Sequence, residues 1–112
     1  MSAPRIELLY WEGCPSHPQA LAQLRAALDS LGRGDLPVTL ERVESDHQAH
    51  AERFAGSPTI RVDGVDPFPP GDGEPFSLCC RVYRLMDGRF SPTPDPGQLR
   101  ERLARLLRSP PG

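Results

Sequence analysis

No run of the 112 residues approaches the roughly 20 consecutive apolar positions that cross a bilayer, and the first five residues are not followed by the apolar core of a secretory leader. A membrane partner is therefore not expected, and the chain reads as cytoplasmic. An excess of positive charge is also missing. Thirteen basic residues against fifteen acidic ones give a formal charge of −2, with the two signs interspersed. There is no basic stripe and no aromatic-rich surface motif, which argues against nucleic acid as a partner. Cysteine is sparse: three residues, an odd number and too few for a secreted disulfide scaffold. In a reducing compartment such cysteines point to catalysis, redox sensing, metal binding or packing. Internal repeats are absent, and the length suits a single domain over 1–112 that buries one core without staples.

What is present is an ordered series of local signals. Residues 6–11 mix aliphatic and aromatic side chains as a largely buried strand does. Leu21, Leu24, Leu28 and Leu31 then recur at spacings of three and four, predicting a helix that Gly32 and Gly34 stop. Its start has two readings: Cys14 as N-cap with Pro15 at the first helical position, or Ser16 as N-cap with Gln19 completing a capping box. Pro18, without an N–H, fits the second position of a helix better than the fourth and favours Ser16.

A second strand is predicted at 38–43, then a short helix capped by Ser45 with Gln48, running to Phe54 and ended by Gly56. Pro58 opens a third strand, 58–62, closed by a turn at Asp63-Gly64. Residues 65–78, rich in proline and glycine, read as a long loop. A fourth strand is expected over 78–85 with Asp87-Gly88 at its end. Asp95-Pro96-Gly97-Gln98 opens a last helix whose apolar face is Leu99, Leu103, Leu106 and Leu107. The order is β-α-β-α-β-β-α: an α/β fold with a mixed sheet of about four strands, its second half contributing an antiparallel pair and a covering helix.

Cys14 is the most informative residue. It lies at a strand-to-helix corner, in Cys14-Pro15-Ser16-His17, where helix N-terminal N–H groups and the positive end of the dipole stabilise a thiolate. A cysteine so placed can act as a nucleophile or a soft-metal ligand; the alternative is a small residue packed in a tight turn. His17 could serve it as a local cation or as a proton acceptor, and could equally be an exposed first-turn histidine. His47 and His50 lie on the second helix with no ligand pattern beside them and read as a solvated face. Cys79 and Cys80 are the other two sulfurs. Adjacent strand residues face opposite ways, so only one of them should face Cys14. A bond between the two is disfavoured because adjacent Cα atoms are about 3.8 Å apart.

The element order, the Cys14 corner and Ser57-Pro58-Thr59 together resemble the thioredoxin-like superfamily over essentially the whole chain. The resemblance implies that Pro58 is the cis-proline lying against the reactive thiol and that Pro58 and Thr59 shape the partner groove. The usual Cys-x-x-Cys is replaced by Cys14-x-x-His17, so a disulfide cycle needs its second sulfur from elsewhere in the chain or from a small thiol. Gly13-Cys14-Pro15, Gly56-Ser57-Pro58-Thr59 and Leu78-Cys79-Cys80-Arg81-Val82-Tyr83 look similar to small bacterial thioredoxin-fold proteins labelled alkylmercury lyase-like. That likeness implies Cys80, directly before the Arg-x-Tyr pattern, as the second thiol, with Cys79 the alternative. Three functions follow as expectations. The first is thiol-disulfide chemistry on a small thiol or protein disulfide, with no resident cofactor. The second is mercury or copper held by Cys14 and Cys80, or lyase-like chemistry. The third is a silent interaction domain. Adjacent cysteines do not match zinc-ligand spacing.

Overall fold

In a computed structural model the described residues are 4–70, 73 and 75–108 of the 112. Elements follow in the order β1 (Ile6–Tyr10), α1 (His17–Ser30), β2 (Val38–Arg42), α2 (Asp46–Glu52), β3 (Thr59–Val62), β4 (Tyr83–Arg84), β5 (Phe90–Ser91) and α3 (Pro96–Arg108). β1 is central. It runs parallel to β2, with Ile6 opposite Val38, and antiparallel to β3, with Ile6 opposite Val62, giving the order β2-β1-β3.

The period-two pattern of β1 divides the core between the two sheet faces. On one face Ile6 and Leu8, with Ile60 and Val62, meet Ala20, Leu24, Ala27 and Leu28 of α1 and Leu99 and Leu103 of α3. On the other, Leu9 packs with Val43, Ala49 and Phe54 beneath α2, with Trp11 and Leu78 against the group. The leucine stripes read from the sequence are thus the buried faces of α1 and α3. Caps hold as the sequence suggests at two helices. Ser45 Oγ accepts from Gln48 N–H, and Asp95 Oδ1 accepts from the Gly97 and Gln98 N–H groups. Ser16 is the N-cap of α1, but its side chain makes no cap bond.

Three expectations are corrected. The main sheet has three strands, not four. The strand expected at 78–85 is regular only over Tyr83–Arg84, and it pairs with β5 as a separate antiparallel ribbon around the Asp87-Gly88 turn. The chain meets the sheet earlier, through one parallel bridge between Ser57 and Cys80. Finally, α2 stops at Glu52 because Arg53 takes the left-handed conformation, φ 55°, ahead of Gly56. Of the loop expected at 65–78, positions 71, 72 and 74 lie outside the described residues. Among the described residues no helix is long and apolar enough to cross a membrane.

The second face carries a group of charges beside its apolar part. Glu7 on β1, Glu41 on β2 and Glu52 at the end of α2 surround Arg61 of β3, whose guanidinium lies 3.8 Å from the Glu52 carboxylate. Burial, then the charges of Glu52 and Glu7, push the Glu41 carboxyl above its ordinary value, and Arg61 offsets this only in part. A carboxyl raised in the folded state binds its proton more tightly there than in the unfolded chain. Its contribution to stability therefore falls as pH rises through the carboxylate range. Glu41→Gln is expected to unfold at higher denaturant concentration than wild type at neutral pH. That advantage should vanish on acidification below the ordinary glutamate range, as measured by urea titrations across pH.

Candidate functional site

The β1–α1 corner is tight. The Cys14 N–H donates to the Trp11 carbonyl at 2.9 Å, and the Trp11 ring lies where a Cβ on Gly13 would sit. This turn delivers the Cys14 sulfur to the start of α1 and leaves it with 0% exposure, although it lies just beneath the surface. Its Sγ–H donates to the Ser57 carbonyl at 3.4 Å. The Ser57–Pro58 peptide is cis, and Pro58 is among the fully buried side chains.

Ser57 is also the point where the 79–81 segment is attached. Its N–H donates to the Cys79 carbonyl and its carbonyl accepts from the Arg81 N–H, both at 2.8 Å, the two bonds of a parallel bridge centred on Cys80. Gly56 permits this approach. With φ +133°, it leaves no room for a side chain, because a Cβ there would stand 3.0 Å from the Arg81 backbone. The bridge brings Cys80 near Cys14, and the neighbouring Cys80 thiol favours the Cys14 thiolate. Cys79 points elsewhere, its thiol donating to the Ala55 carbonyl at 3.7 Å.

Behind the bridge stands a mostly buried polar network. Arg81 donates to Asp66 at 2.7 Å, to Thr59 Oγ1 at 3.3 Å and to the Phe68 carbonyl. Thr59 Oγ1 in turn donates to the Gly56 carbonyl at 2.6 Å. The Tyr83 hydroxyl donates to the Pro58 carbonyl, its ring lies under the Arg81 guanidinium, and Phe68 meets it edge-on. Burial drives the Asp66 carboxyl up against the pull of Arg81, and it drives the Tyr83 phenol up, keeping it a donor.

Two forces act on the Cys14 thiol. Burial, the largest single influence, pushes it up. The Ser16 N–H, the Ser57 side chain, the Cys80 thiol and the Ser16 side chain all favour the thiolate, and together they hold Cys14 below its ordinary value. Cys80 is pushed up, chiefly by the neighbouring Cys14. The two thiols are thus shifted in opposite directions, and ionisation of one bears on the other.

The remaining site residues of the sequence reading fall as follows. The His17 ring is not on the sulfur. Its Nδ1 lies 3.0 Å from the Cys14 carbonyl oxygen, which can only accept, so Nδ1 carries the hydrogen, and the ring stacks on Tyr10 at 4.3 Å. Pro58 and Thr59 are buried supports beneath the pair and not walls of an open groove. The open space is beside Cys80: a cleft of about 720 Å³ lined by Cys79, Cys80, Phe68, Val82, Arg84 and Arg102 among others. Sequence reasoning named Ser16 only as a helix cap and Ser57 only as part of the Ser57-Pro58-Thr59 motif, and gave neither a role at the sulfur. Arg81 and Tyr83 entered it only as the Arg-x-Tyr marker after Cys80, and Asp66 not at all. The chain matches no family model, no curated protein and no solved structure.

Ser57 Oγ is fully buried without a hydrogen-bond partner among the described residues, on a residue whose carbonyl already touches the Cys14 thiol. A buried orphan hydroxyl is costly, and here it gains a partner when Cys14 ionises. Ser57→Ala is expected to raise the pH at which the first thiolate forms, followed by thiolate ultraviolet absorbance. The thiolate population below the midpoint should fall about tenfold. Stability at acid pH should not drop, since the orphan is removed. An unmoved midpoint contradicts the assignment.

Proposed function

We propose that this chain is a thioredoxin-like thiol-disulfide protein whose reactive pair is Cys14 and Cys80. The observation that carries this reading is the Ser57–Cys80 bridge, which sets Cys80 beside the peptide whose carbonyl takes the Cys14 thiol. The thioredoxin-like assignment is supported by the β1-α1-β2 crossover, the cysteine at the α1 corner, the cis Ser57–Pro58 against it and the antiparallel β3. A cytoplasmic setting, where thiols are kept reduced, suits three free cysteines.

The exchange balances on the pair alone. One protein sulfur, as thiolate, attacks a substrate disulfide R–S–S–R′, and R′S⁻ leaves. The second protein sulfur gives up its proton and attacks the first within the mixed disulfide. RS⁻ leaves and the Cys14–Cys80 bond closes. The substrate gains two electrons, and the one proton ends on a released thiol. Two equivalents of a small thiol return the pair to the reduced state by the reverse steps. Both sulfurs belong to one chain and lie on segments joined at Ser57, so closure is intramolecular and the mixed disulfide is short-lived.

A second reading uses the same contact. Two thiolates brought together form a two-sulfur site for a soft ion such as mercury(II) or copper(I). Among the described residues no group of three or more His, Cys, Asp or Glu is placed to hold a metal, so two sulfurs are the form such a site takes. Lyase-like chemistry also needs a proton donor for the carbon leaving group. The aspartates bonded to this segment, Asp46 and Asp66, are engaged by the Leu78 N–H and by Arg81.

Treatment with a mild disulfide oxidant is expected to remove two hydrogens and leave no adduct, with fragmentation placing the bond between Cys14 and Cys80. Cys79→Ser should close normally, and Cys80→Ser should stall as a mixed disulfide. Stable adducts on the wild type, with one mercury(II) taken up per chain, would favour the soft-ion reading.

A further inference from the structure

The two sulfurs differ sharply in access. Cys14 has no accessible surface, whereas Cys80 is exposed and lines the cleft of about 720 Å³. That volume is of the size that encloses a small molecule. An extended peptide is disfavoured, because the backbone beside the pair is already spent: Ser57 N–H and C=O are both bonded to the 79–81 segment of the same chain. The cleft is also one-signed. Among its described lining residues are three arginines and no aspartate or glutamate. Arg81 is neutralised by Asp66, but Arg84 and Arg102 have no carboxylate partner among the described residues. Arg102 is held in place, 4.5 Å over the Phe68 ring and donating to the Pro67 carbonyl at 3.0 Å, so its fork is pre-set. Guanidinium groups of this kind bind carboxylates in bidentate fashion.

We propose that the cleft binds a small disulfide bearing carboxylate groups, whose sulfur meets Cys80 before Cys14. The inference rests on the Cys14–Cys80 pair and adds the substrate class and the order of attack. Carboxylates engage Arg84 and Arg102, and the disulfide lies over Cys80. The Cys80 proton passes to the neighbouring Cys14 thiolate as Cys80 attacks, forming the Cys80–substrate bond and releasing one thiolate. Cys14 then gives that proton to the departing thiolate and attacks the Cys80 sulfur. The protein disulfide forms and the second substrate thiolate leaves. This order makes Cys14 the resolving sulfur, the reverse of the role its position at the helix corner suggests.

The test uses a Cys14→Ser, Cys79→Ser protein, in which Cys80 alone can react. Two probes are supplied separately, the dianion dithiodiglycolate and the dication cystamine, and mixed-disulfide formation is followed by intact mass. Each rate is divided by that of the same protein unfolded in denaturant, which removes differences in the leaving thiols. The folded protein is expected to favour the dianion about tenfold or more. The preference should shrink in Arg84→Ala, whose side chain is exposed and carries no ion pair among the described residues, and in Arg102→Ala, and at high salt. No preference, or a preference for cystamine, overturns the proposal. So does faster adduct formation at Cys14 in Cys80→Ser than at Cys80 in the test protein. Wild-type closure with an uncharged oxidant separates the two levels. If Cys14 and Cys80 fail to join, the pair reading itself falls. If they join while the charge preference is absent, only the cleft assignment falls.

Discussion

The hydrogen-bonded bridge between Ser57 and Cys80 is the contact on which the site depends. Two backbone bonds of 2.8 Å fix a sulfur from the late part of the chain beside one at the start of the first helix. Without them the 78–82 segment, which forms no regular strand, has no other backbone pairing to the sheet. The same Ser57 carbonyl takes the Cys14 thiol, so one peptide orients both members of the pair. Cys14-x-x-His17 has no second cysteine of its own, and Cys80 is the sulfur that tertiary structure brings near it.

The bridge has support where the sequence is least regular. Arg81 and Asp66 form an ion pair with side chains only 9% and 13% exposed, and a pair this deep carries a large desolvation cost. That cost is offset by the further bonds from Arg81 to Thr59 and Phe68 and by its stacking on Tyr83. The network ties the proline-rich loop, the cis-proline corner and the strand after Cys80 into one body. It also explains why Thr59 and Pro58 are buried: they carry the load of the loop on one side and the thiol pair on the other.

Much of the frame is legible in the sequence because its causes are local. Leucine spacing marks the buried faces of α1 and α3, Ser45 and Asp95 announce their caps, and Asp63-Gly64 and Asp87-Gly88 sit in the turns expected of them. The expected fourth sheet strand fails for a long-range reason. Residues 78–82 contain β-favouring side chains, but Ser57 offers them a single bridge, and regular pairing begins only at Tyr83 with β5. The Ser57–Cys80 contact has no local signature, since it joins distant parts of the chain. The two adjacent cysteines have different surroundings: the Cys79 thiol donates to the Ala55 carbonyl, while Cys80 is the residue bridged to Ser57. The spacing of His17 from Cys14 suggested a sulfur partner, yet a first-turn side chain also reaches its own preceding carbonyl, and that is where the ring lies.

The most direct test is a pH titration of the cysteine Cβ chemical shifts in the reduced protein. Two coupled steps are predicted, with Cys14 ionising first, below the range of a free thiol, and Cys80 responding to that step before losing its own proton above it. If the two cysteines titrate independently, each near the free-thiol value of about 8.5, the ionisation of one does not bear on the other and the account of the site is wrong.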